Sequence, residues 1–342
     1  MTQRQVTLAE VARQASVSLA TASRVLNGST RQVSTELRDR VLTTARVLGY
    51  LPNASAQALA RNSSVLVGLV VHDIADPYFS SIAAGVTRVA EENGLIVVLG
   101  TTNRDPGREL ALLSTLRAHR ARAIVLAGTR TTDRNTTAQL AAEVQAFTAQ
   151  GGRLACVSQA RLPADTVIPA NKLGATKLAR ALIEQGHRRF AVLAGPPELV
   201  SARDRLAGFR AGLAESGIEL AAEDVLHGGF TRDGGYTAAE QLLAGKTRAT
   251  CVFAVNDVMA LGAMAAFRAA GLTIPADISV AGFDDIPTLS DLVPSLTTVR
   301  LPLEEMGERA ARLALDEDPP PQARSVRVNG EVVLRDSTAP PR

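Results

Sequence analysis

The stretch Val6–Asn27 reads V-T-L-A-E-V-A-R-Q-A-S-V-S-L-A-T-A-S-R-V-L-N and predicts two short helices joined by a tight turn. Thr7, followed three residues later by Glu10, forms a capping-box pattern that should begin the first helix. Ser16 interrupts the helical period, and Ser18 stands where the N-cap of a second helix belongs. The stretch therefore predicts a helix-turn-helix, although an ordinary two-helix hairpin would give the same turn signals.

The outer face of the second predicted helix has small or hydroxyl-bearing side chains and one arginine: Leu19, Ala20, Ser23 and Arg24. Such a face can approach the floor of a DNA major groove closely. Arg24 is suited to pair with guanine or with phosphate, and the alternative for it is a solvated helix arginine.

Three further motifs follow this stretch: V-S-x-E-x-R-x-R-V from 33, G-Y-x-P-N from 49 and A-x-A-L-A-R from 56. Together these positions closely resemble the DNA-binding head of the lactose-repressor (LacI/GalR) family. The resemblance implies that Leu19 and Ala20 face bases, and as apolar residues they suit thymine methyl groups. The DNA contacts it implies are Thr7, Ser18, Leu19, Ala20, Thr21, Ser23, Arg24, Asn27, Asn53, Ala56 and Leu59.

Two residues of the head depart from the family pattern. Ser16 stands where the family usually has a turn glycine, and Ala22 where it usually has valine. Serine adopts such a turn at some strain, and alanine slightly thins the core. We expect the same fold with a less stable head.

A third helix is predicted after Ser34, ending at Gly49, and a short alanine-rich segment follows at 54–61. Eight residues make a marginal helix in water, so a plain linker is the alternative for this segment. The resemblance implies a hinge helix ordered on DNA, with Asn53 as its N-cap and Leu59 as a wedge in the minor groove, where an apolar side chain unstacks a base step.

The charge of the chain is unevenly distributed. Residues 1–64 hold eight arginines against three acidic residues, a balance of +5, so the remaining residues carry −2 of the net +3. A basic head on a mildly acidic body favours a polyanion partner for the head alone.

Composition restricts the class of protein. The chain has 342 residues, 46% of them hydrophobic and 21% charged, which is typical of a soluble globular protein with two or three domains. No long apolar run and no basic-then-apolar start point to a membrane or to export, so we expect a cytoplasmic protein, acting at the bacterial nucleoid. Cys156 and Cys251 lie in apolar strand-like runs and predict buried free thiols, and the scattered histidines predict no metal site.

From Val65 onward, apolar strands alternate with amphipathic helices, which implies right-handed βαβ units on parallel sheets. The strands are too many for one sheet, so two doubly wound lobes facing a cleft are expected, with ligand at the carboxyl ends of the strands. Six motifs, among them I-A-D-P-Y-F at 74–79 and D-I-S-V-A-G-F-D-D at 277–285, resemble the periplasmic-binding-protein-like (type I) body of the same family.

The resemblance sets the expected domains. They are a head at 1–50, a hinge and linker at 51–64, and an effector-binding and dimerisation body at 65–342. Within the body, lobe 1 is expected at about 65–158 and 292–319 and lobe 2 at about 163–289 and 324–339, with the proline run at 319–321 as a stiff crossover. No leucine heptads follow, so we expect no coiled-coil tail.

The cleft residues are also taken from the resemblance. It implies that Arg205 and Asp284 contact the effector, surrounded by Tyr78, Phe79, Ser201, Phe230 and Asn256. Helix and turn capping is the alternative role for Asn256 and Asp284. Ala170 stands where the family often has aspartate, which weakens the transfer of any particular ligand.

These features favour a transcriptional regulator, most simply a repressor, that binds a near-palindromic operator in double-stranded DNA as a homodimer. A small-molecule effector, sugar-like or a related polar metabolite, should modulate its affinity, and no cofactor is expected. A binding or sensor protein without a DNA role is disfavoured by the basic head. An enzyme is disfavoured because nucleotide-binding, nucleophile-elbow and zinc-protease motifs are absent from the sequence.

Overall fold

A computed structural model describes residues 6–26, 33–50 and 64–342. The chain divides into two compact units, residues 1–65 and residues 66–342. The expected DNA contacts Asn27, Asn53, Ala56 and Leu59, and the expected hinge helix, lie outside the described residues. Within the described part, no helix is long and apolar enough to cross a membrane.

The head contains three short helices around one small core: α1 Leu8–Gln14, α2 Leu19–Leu26 and α3 Thr35–Leu48. The predicted capping box is present, because the Thr7 side chain accepts from the Glu10 amide while the Glu10 carboxylate accepts from the Thr7 amide. Ser18 Oγ accepts from the Thr21 amide at 3.1 Å, as an N-cap does. Seven- and eight-residue helices are marginal alone, so their mutual packing around buried Val11, Ala22 and Val41 stabilises them.

The turn between α1 and α2 is left-handed at Ser16, whose φ is 52°. The Ser16 amide donates to the carbonyl of Arg13 and the Val17 amide to that of Ala12, which is a Schellman ending. This position usually takes glycine, so the expected strain at Ser16 is present in the backbone.

The body begins with a parallel sheet of six strands in the order β11-β5-β4-β3-β1-β2. Helices α4 and α11 pack together over one face, and α5 and α6 over the other. The strands are β1 Leu66–Val71, β2 Ile96–Thr101, β3 Ala123–Ala127, β4 Arg153–Val157, β5 Asp165–Pro169 and β11 Ser325–Val328. The helices are α4 Pro77–Glu92, α5 Pro106–Ala118, α6 Arg134–Ala149 and α11 Leu303–Leu315.

The second lobe is built on a parallel sheet of four strands in the order β7-β6-β8-β9, flanked by the helix pairs α7–α8 and α9–α10. The two sheets share one spatial order of strands. From the edge inward, each has its second strand along the chain, then its first, then its third and then its fourth. The strands are β6 Phe190–Ala194, β7 Val225–His227, β8 Cys251–Ala254 and β9 Ser279–Ala281. The helices are α7 Asn171–Glu184, α8 Val200–Ala214, α9 Arg232–Ala244 and α10 Asp257–Ala269.

A two-stranded antiparallel ribbon, β10 Thr298–Arg300 and β12 Glu331–Val333, completes the body beside the second sheet. The fold class predicted from the sequence, a helix-turn-helix head with a two-lobed doubly wound body, is confirmed. The thiols of Cys156 and Cys251 are buried and free, as predicted.

The lobe boundaries lie further along the chain than the sequence suggested. Strands β5 and β11, expected in lobe 2, hydrogen-bond into the six-stranded sheet. The reason is their stagger: Asp165 pairs with Ala155, the third residue of β4, so β5 runs past the carboxyl edge of its neighbour toward the second lobe. The chain therefore crosses after residues 169, 300 and 328, and not near 160, 290 and 320.

The proline run is also placed differently from the expectation. Pro319, Pro320 and Pro321 lie on the connection from α11 to β11, and both of these elements belong to the first lobe. Residues 325–333 form two strands, because Gly330 separates β11 from β12 and packs too closely against Val299 to leave room for a side chain.

Candidate functional site

The outer face of α2 is accessible in the described head. Leu19 is 54% exposed, Ala20 and Arg24 are exposed, and Thr21 and Ser23 are half-buried. Ala22 on the opposite side of the helix is fully buried in the head core. The face singled out from the sequence is thus the solvent face, and an exposed leucine beside an arginine has no packing role in the head.

The described surface of the head carries more basic than acidic side chains. Five described arginines are exposed, against the acidic residues Glu10, Glu36 and Asp39, and they are Arg13, Arg24, Arg38, Arg40 and Arg46. Exposed guanidinium groups at this density suit a phosphate backbone, because each can displace a condensed counterion from DNA.

The body has a cavity of about 470 Å³, partly open to solvent, where the carboxyl ends of both parallel sheets meet. It lies at the point in each sheet where the strand order reverses, after β1 and β3 in the first lobe and after β6 and β8 in the second. Ligands bind doubly wound sheets at such points. All seven effector residues expected from the sequence line this cavity: Tyr78, Phe79, Ser201, Arg205, Phe230, Asn256 and Asp284.

Arg205 and Asp284 form a buried bidentate ion pair at the floor of the cavity. Arg205 Nη2 lies 2.7 Å from Asp284 Oδ1, and its Nη1 lies 3.2 Å from Oδ2. Arg205 Nη1 also donates to the Val255 carbonyl and Nε to Asn171 Oδ1, both at 2.8 Å. Burial raises the pKa of the Asp284 carboxyl, and the guanidinium opposes that rise. The pair joins α7, α8, β8 and the turn after β9, so it holds the second lobe together as well as facing the cavity.

Asn256 combines the two roles that the sequence left open. Its Oδ1 accepts from the Met259 amide at 2.9 Å and caps α10, while the residue also lines the cavity. A capping oxygen leaves the amide nitrogen of the same side chain as a donor. Behind it, Asp257 accepts from the Ile286 amide and from the Thr298 hydroxyl, and burial raises its pKa to about 6.

Aromatic side chains from both lobes cover the polar floor. Tyr78 and Phe79 from α4 meet edge to face with ring centroids 5.0 Å apart. Phe230 follows β7 in the second lobe, and its ring lies so close to Gly195 that a side chain there would overlap it. Apolar walls over a few fixed hydrogen-bonding groups are typical of small-molecule sites.

The sequence did not single out several residues of the cavity, chiefly His72, Asp76 and Arg104. Burial and two nearby arginines, Arg130 and Arg104, lower the pKa of His72 to about 3, so its imidazole is neutral. Asp76 caps α4 through the Tyr78 amide, and burial raises its pKa. Each of these residues follows a strand of the first lobe, and Asp76 also lies in the I-A-D-P-Y-F motif at 74–79, so the sequence did carry these signals for them.

Backbone hydrogen bonds join the two lobes at one side of the cavity. The Val200 amide donates to the Arg130 carbonyl and the Thr132 amide to the Glu198 carbonyl, both at 2.9 Å. The Ser201 amide donates to Thr129 Oγ1 at 3.0 Å. This interlobe latch, residues 129–132 against 198–201, ties the β3 strand end to the start of α8, which carries Arg205.

Comparison with known proteins agrees with this arrangement. Residues 7–53 match the family model described as bacterial regulatory proteins, lacI family, and residues 179–338 match a periplasmic binding protein-like domain. The chain is 35% identical to the HTH-type transcriptional regulator GalR of Escherichia coli over 98% of its own length and 96% of that protein. The chain belongs to the LacI family.

Two solved structures of transcriptional regulators extend the likeness to three dimensions. A Lac repressor dimer bound to operator and the anti-inducer ONPF superposes with a TM-score of 0.80 at 29% identity, covering 98% of this chain and all of that one. A complex of the transcriptional regulator CelR with cellobiose has a TM-score of 0.70 at 30% identity, covering 97% of this chain and all of that one.

The departure at Ala170 from the family pattern leaves α7 without a side-chain cap. Ala170 occupies the N-cap position of α7 and is not among the cavity-lining residues. The next residue, Asn171, lines the cavity and accepts from Arg205.

Proposed function

We propose that this LacI-family chain is a repressor that binds a near-palindromic operator as a homodimer and responds to a small polar effector in the interlobe cavity. The observation that carries the proposal is the combination, in one chain, of an exposed arginine-bearing α2 face with a polar, aromatic-walled cavity at the strand ends. A cavity alone would suit a binding protein without a DNA role. A basic helix-turn-helix has no use in such a protein.

For the head, we propose that α2 enters the major groove with Leu19 and Ala20 against base edges. Arg24 would pair with guanine or phosphate, and Thr7, Ser18, Thr21 and Ser23 would fix the register on the backbone. Asn27, Asn53, Ala56 and Leu59, outside the described residues, remain proposed contacts by family resemblance.

One helix of this size reads only a few base pairs, so two heads on a two-fold site are needed for specificity. A surface for pairing two chains is available at β2, the edge strand of the six-stranded sheet. It presents Ile96 at 59% exposure, with Val98 and Leu99 at 41% and 42%. An unprotected apolar edge is a liability in a monomer and is suited to burial against a second copy.

For the body, we propose a sugar-like ligand or a related polar metabolite. The Asp284 carboxylate can accept further hydrogen bonds. The hydrogen bonds of Arg205 use four of its five N–H groups, so one N–H group can still donate. A donor and an acceptor therefore lie side by side, as the adjacent hydroxyls of a sugar require. The related CelR structure holds cellobiose, which supports a carbohydrate-like ligand here.

The test is selection of DNA by the full-length chain from a random-sequence pool, followed by binding measurements on the selected site. We expect a near-palindromic sequence, two chains per site, and affinity that falls steeply with salt. Arg24→Ala should weaken binding to that site, whereas Arg232→Ala, an exposed arginine of the body, should not. Failure to enrich any sequence, with ligand binding intact, would favour the binding protein without a DNA role.

A further inference from the structure

Arg104 lines the cavity and forms no ion pair with any described residue. It follows β2 in the first lobe, and its Nη2 donates to the Phe230 carbonyl across the cleft at a long 3.3 Å. Its Nε is buried without a hydrogen-bond partner among the described residues. No carboxylate of the described chain lies within 4.0 Å of it.

The other two arginines near this cavity differ from Arg104 in being neutralised. Arg205 is paired with Asp284 at 2.7 Å, and Arg130 is paired bidentately with Glu109. Asp76 lines the same cavity, but its carboxylate caps α4, and both Asp76 and Asp73 attract Arg104 only from beyond ion-pair distance. The partly buried Arg104 guanidinium makes one long hydrogen bond, so most of its N–H groups are available to a bound ligand.

Arg104 also lies between two adjoining cavities. A side cavity of about 420 Å³ in the first lobe adjoins the main one and shares Arg104, His72 and Thr129 with it. Threonines line much of that side cavity, but the hydroxyls of Thr136 and Thr137 already donate to Asp133. The Arg104 guanidinium therefore supplies the available donors, and it matches a carboxylate or phosphate group, which accepts hydrogen bonds from several N–H groups at once.

We propose that the effector carries an anionic group, a carboxylate or a phosphate, which pairs with Arg104 at the mouth of the side cavity while its hydroxyl-bearing part lies on Arg205 and Asp284. The inference rests on the proposed function, because it refines the ligand class of the same cavity. Arg104 is a specificity-determining residue in this arrangement. It also contacts the Phe230 ring, with its guanidinium carbon 5.6 Å from the ring centroid, so an anion seated there would touch both lobes.

The test measures binding of matched probes to the full-length chain by titration calorimetry and thermal shift. The pairs are D-galactose with D-galacturonate, D-glucose with D-glucose 6-phosphate, and D-ribose with D-ribose 5-phosphate, together with inorganic phosphate. We expect at least one anionic probe to bind roughly tenfold or more tightly than its neutral partner, because a charge-assisted hydrogen bond is stronger than a neutral one. The uronate and phosphate arms distinguish the two sources of the anion.

Variants assign the preference to the side chain. Arg104→Gln should remove it and Arg104→Lys should restore part of it, while Arg108→Gln, an exposed arginine four residues along, should leave it unchanged. Arg104→Gln should fold normally, because the side chain makes only one long hydrogen bond and a ring contact.

Three results would overturn the proposal: equal binding of neutral and anionic probes, an anion preference that survives Arg104→Gln, or no binding of any charged probe at millimolar concentration. A neutral sugar that alters operator affinity equally in wild type and Arg104→Gln would refute it and leave the proposed function standing. Loss of sequence-specific DNA binding, measured separately, would instead refute the proposed function.

Discussion

The Cβ atom of Ser16 should lower the stability of the head, because it strains the turn between α1 and α2. Its left-handed φ of 52° is strained for any residue with a Cβ. Ser16→Gly should therefore stabilise α1 and α2 by about 1 kcal/mol. Hydrogen exchange of the α1 and α2 amides in the full-length chain measures this, with Ser16→Ala, which keeps the Cβ, as the control. Equal protection in the glycine and alanine variants would show that the turn is unstrained.

Asp257 gives the body an unusual pH dependence. Burial raises its pKa from 3.8 to about 6 in the folded chain, so the folded state takes up this proton before the unfolded state does. The contribution of Asp257 to stability should therefore increase as pH falls from about 7 to about 4, by up to roughly 3 kcal/mol. Denaturant unfolding of wild type and Asp257→Asn across this range gives the difference. A contribution that decreases on acidification would contradict the assignment.

The ion pair of Arg205 and Asp284 has a structural role that limits how its ligand role can be tested. Asp284→Asn leaves a buried guanidinium without its counter-ion and should lower the free energy of unfolding of the body by about 3–5 kcal/mol. The exposed pair Arg232–Asp233 provides a matched control, and Asp233→Asn should cost less than about 1 kcal/mol. Similar losses of unfolding free energy in Asp284→Asn and Asp233→Asn would mean that the buried pair stabilises the body no more than the exposed pair does. Loss of effector response after truncating Arg205 or Asp284 is therefore not by itself evidence of ligand contact.

At the scale of elements, the hydrogen bonds of the interlobe latch should favour the arrangement in which the two lobes are in contact. Thr129→Val removes the oxygen that accepts from the Ser201 amide and keeps the side chain's shape. Because a buried amide is left without its partner, the variant should favour the open arrangement and increase the radius of gyration measured by small-angle X-ray scattering. Thr132→Val retains its backbone bond to Glu198 and should scatter as wild type. An unchanged radius in Thr129→Val would mean that the latch does not govern closure.

Elements with a strong period could be predicted from the sequence, and those defined by long-range pairing could not. The capping box of α1, the Gly49 end of α3 and the apolar strands β1, β3 and β6 follow from local patterns. Helix α6 at 134–149 cannot be predicted from a local pattern, because its polar residues, including Thr136 and Thr137, obscure the apolar period. Strand β5 is only five residues long, and its place in the first sheet depends on pairing with β4 and β11, which no local pattern encodes.

The residues of the candidate site also differ in whether the sequence could predict them. Six of the seven effector residues lie in motifs that carry the family resemblance, Phe230 lies outside them, and all seven line one cavity. Arg104 follows β2 in a turn that carries no recognisable motif. What distinguishes it is that it forms no ion pair with any described residue. Whether an arginine is paired depends on which side chains surround it in the folded chain, so the sequence could not predict this property.

At the scale of the whole molecule, a ligand can change DNA affinity only through different affinities for two arrangements of the lobes. The cavity is suited to this, because Tyr78 and Phe79 belong to one lobe and Arg205 and Asp284 to the other. A ligand that bridges them stabilises one lobe arrangement. Typical couplings of about 1–3 kcal/mol correspond to roughly 5- to 150-fold in affinity.

The most direct test of this account is the operator affinity of the full-length chain, measured by fluorescence anisotropy with and without a compound that binds the body. The account predicts a change in Kd of roughly 5- to 150-fold, and an equal change in the compound's own affinity when saturating operator is present. Compounds that saturate the cavity and leave operator affinity unchanged would contradict the central claim that the cavity controls the head.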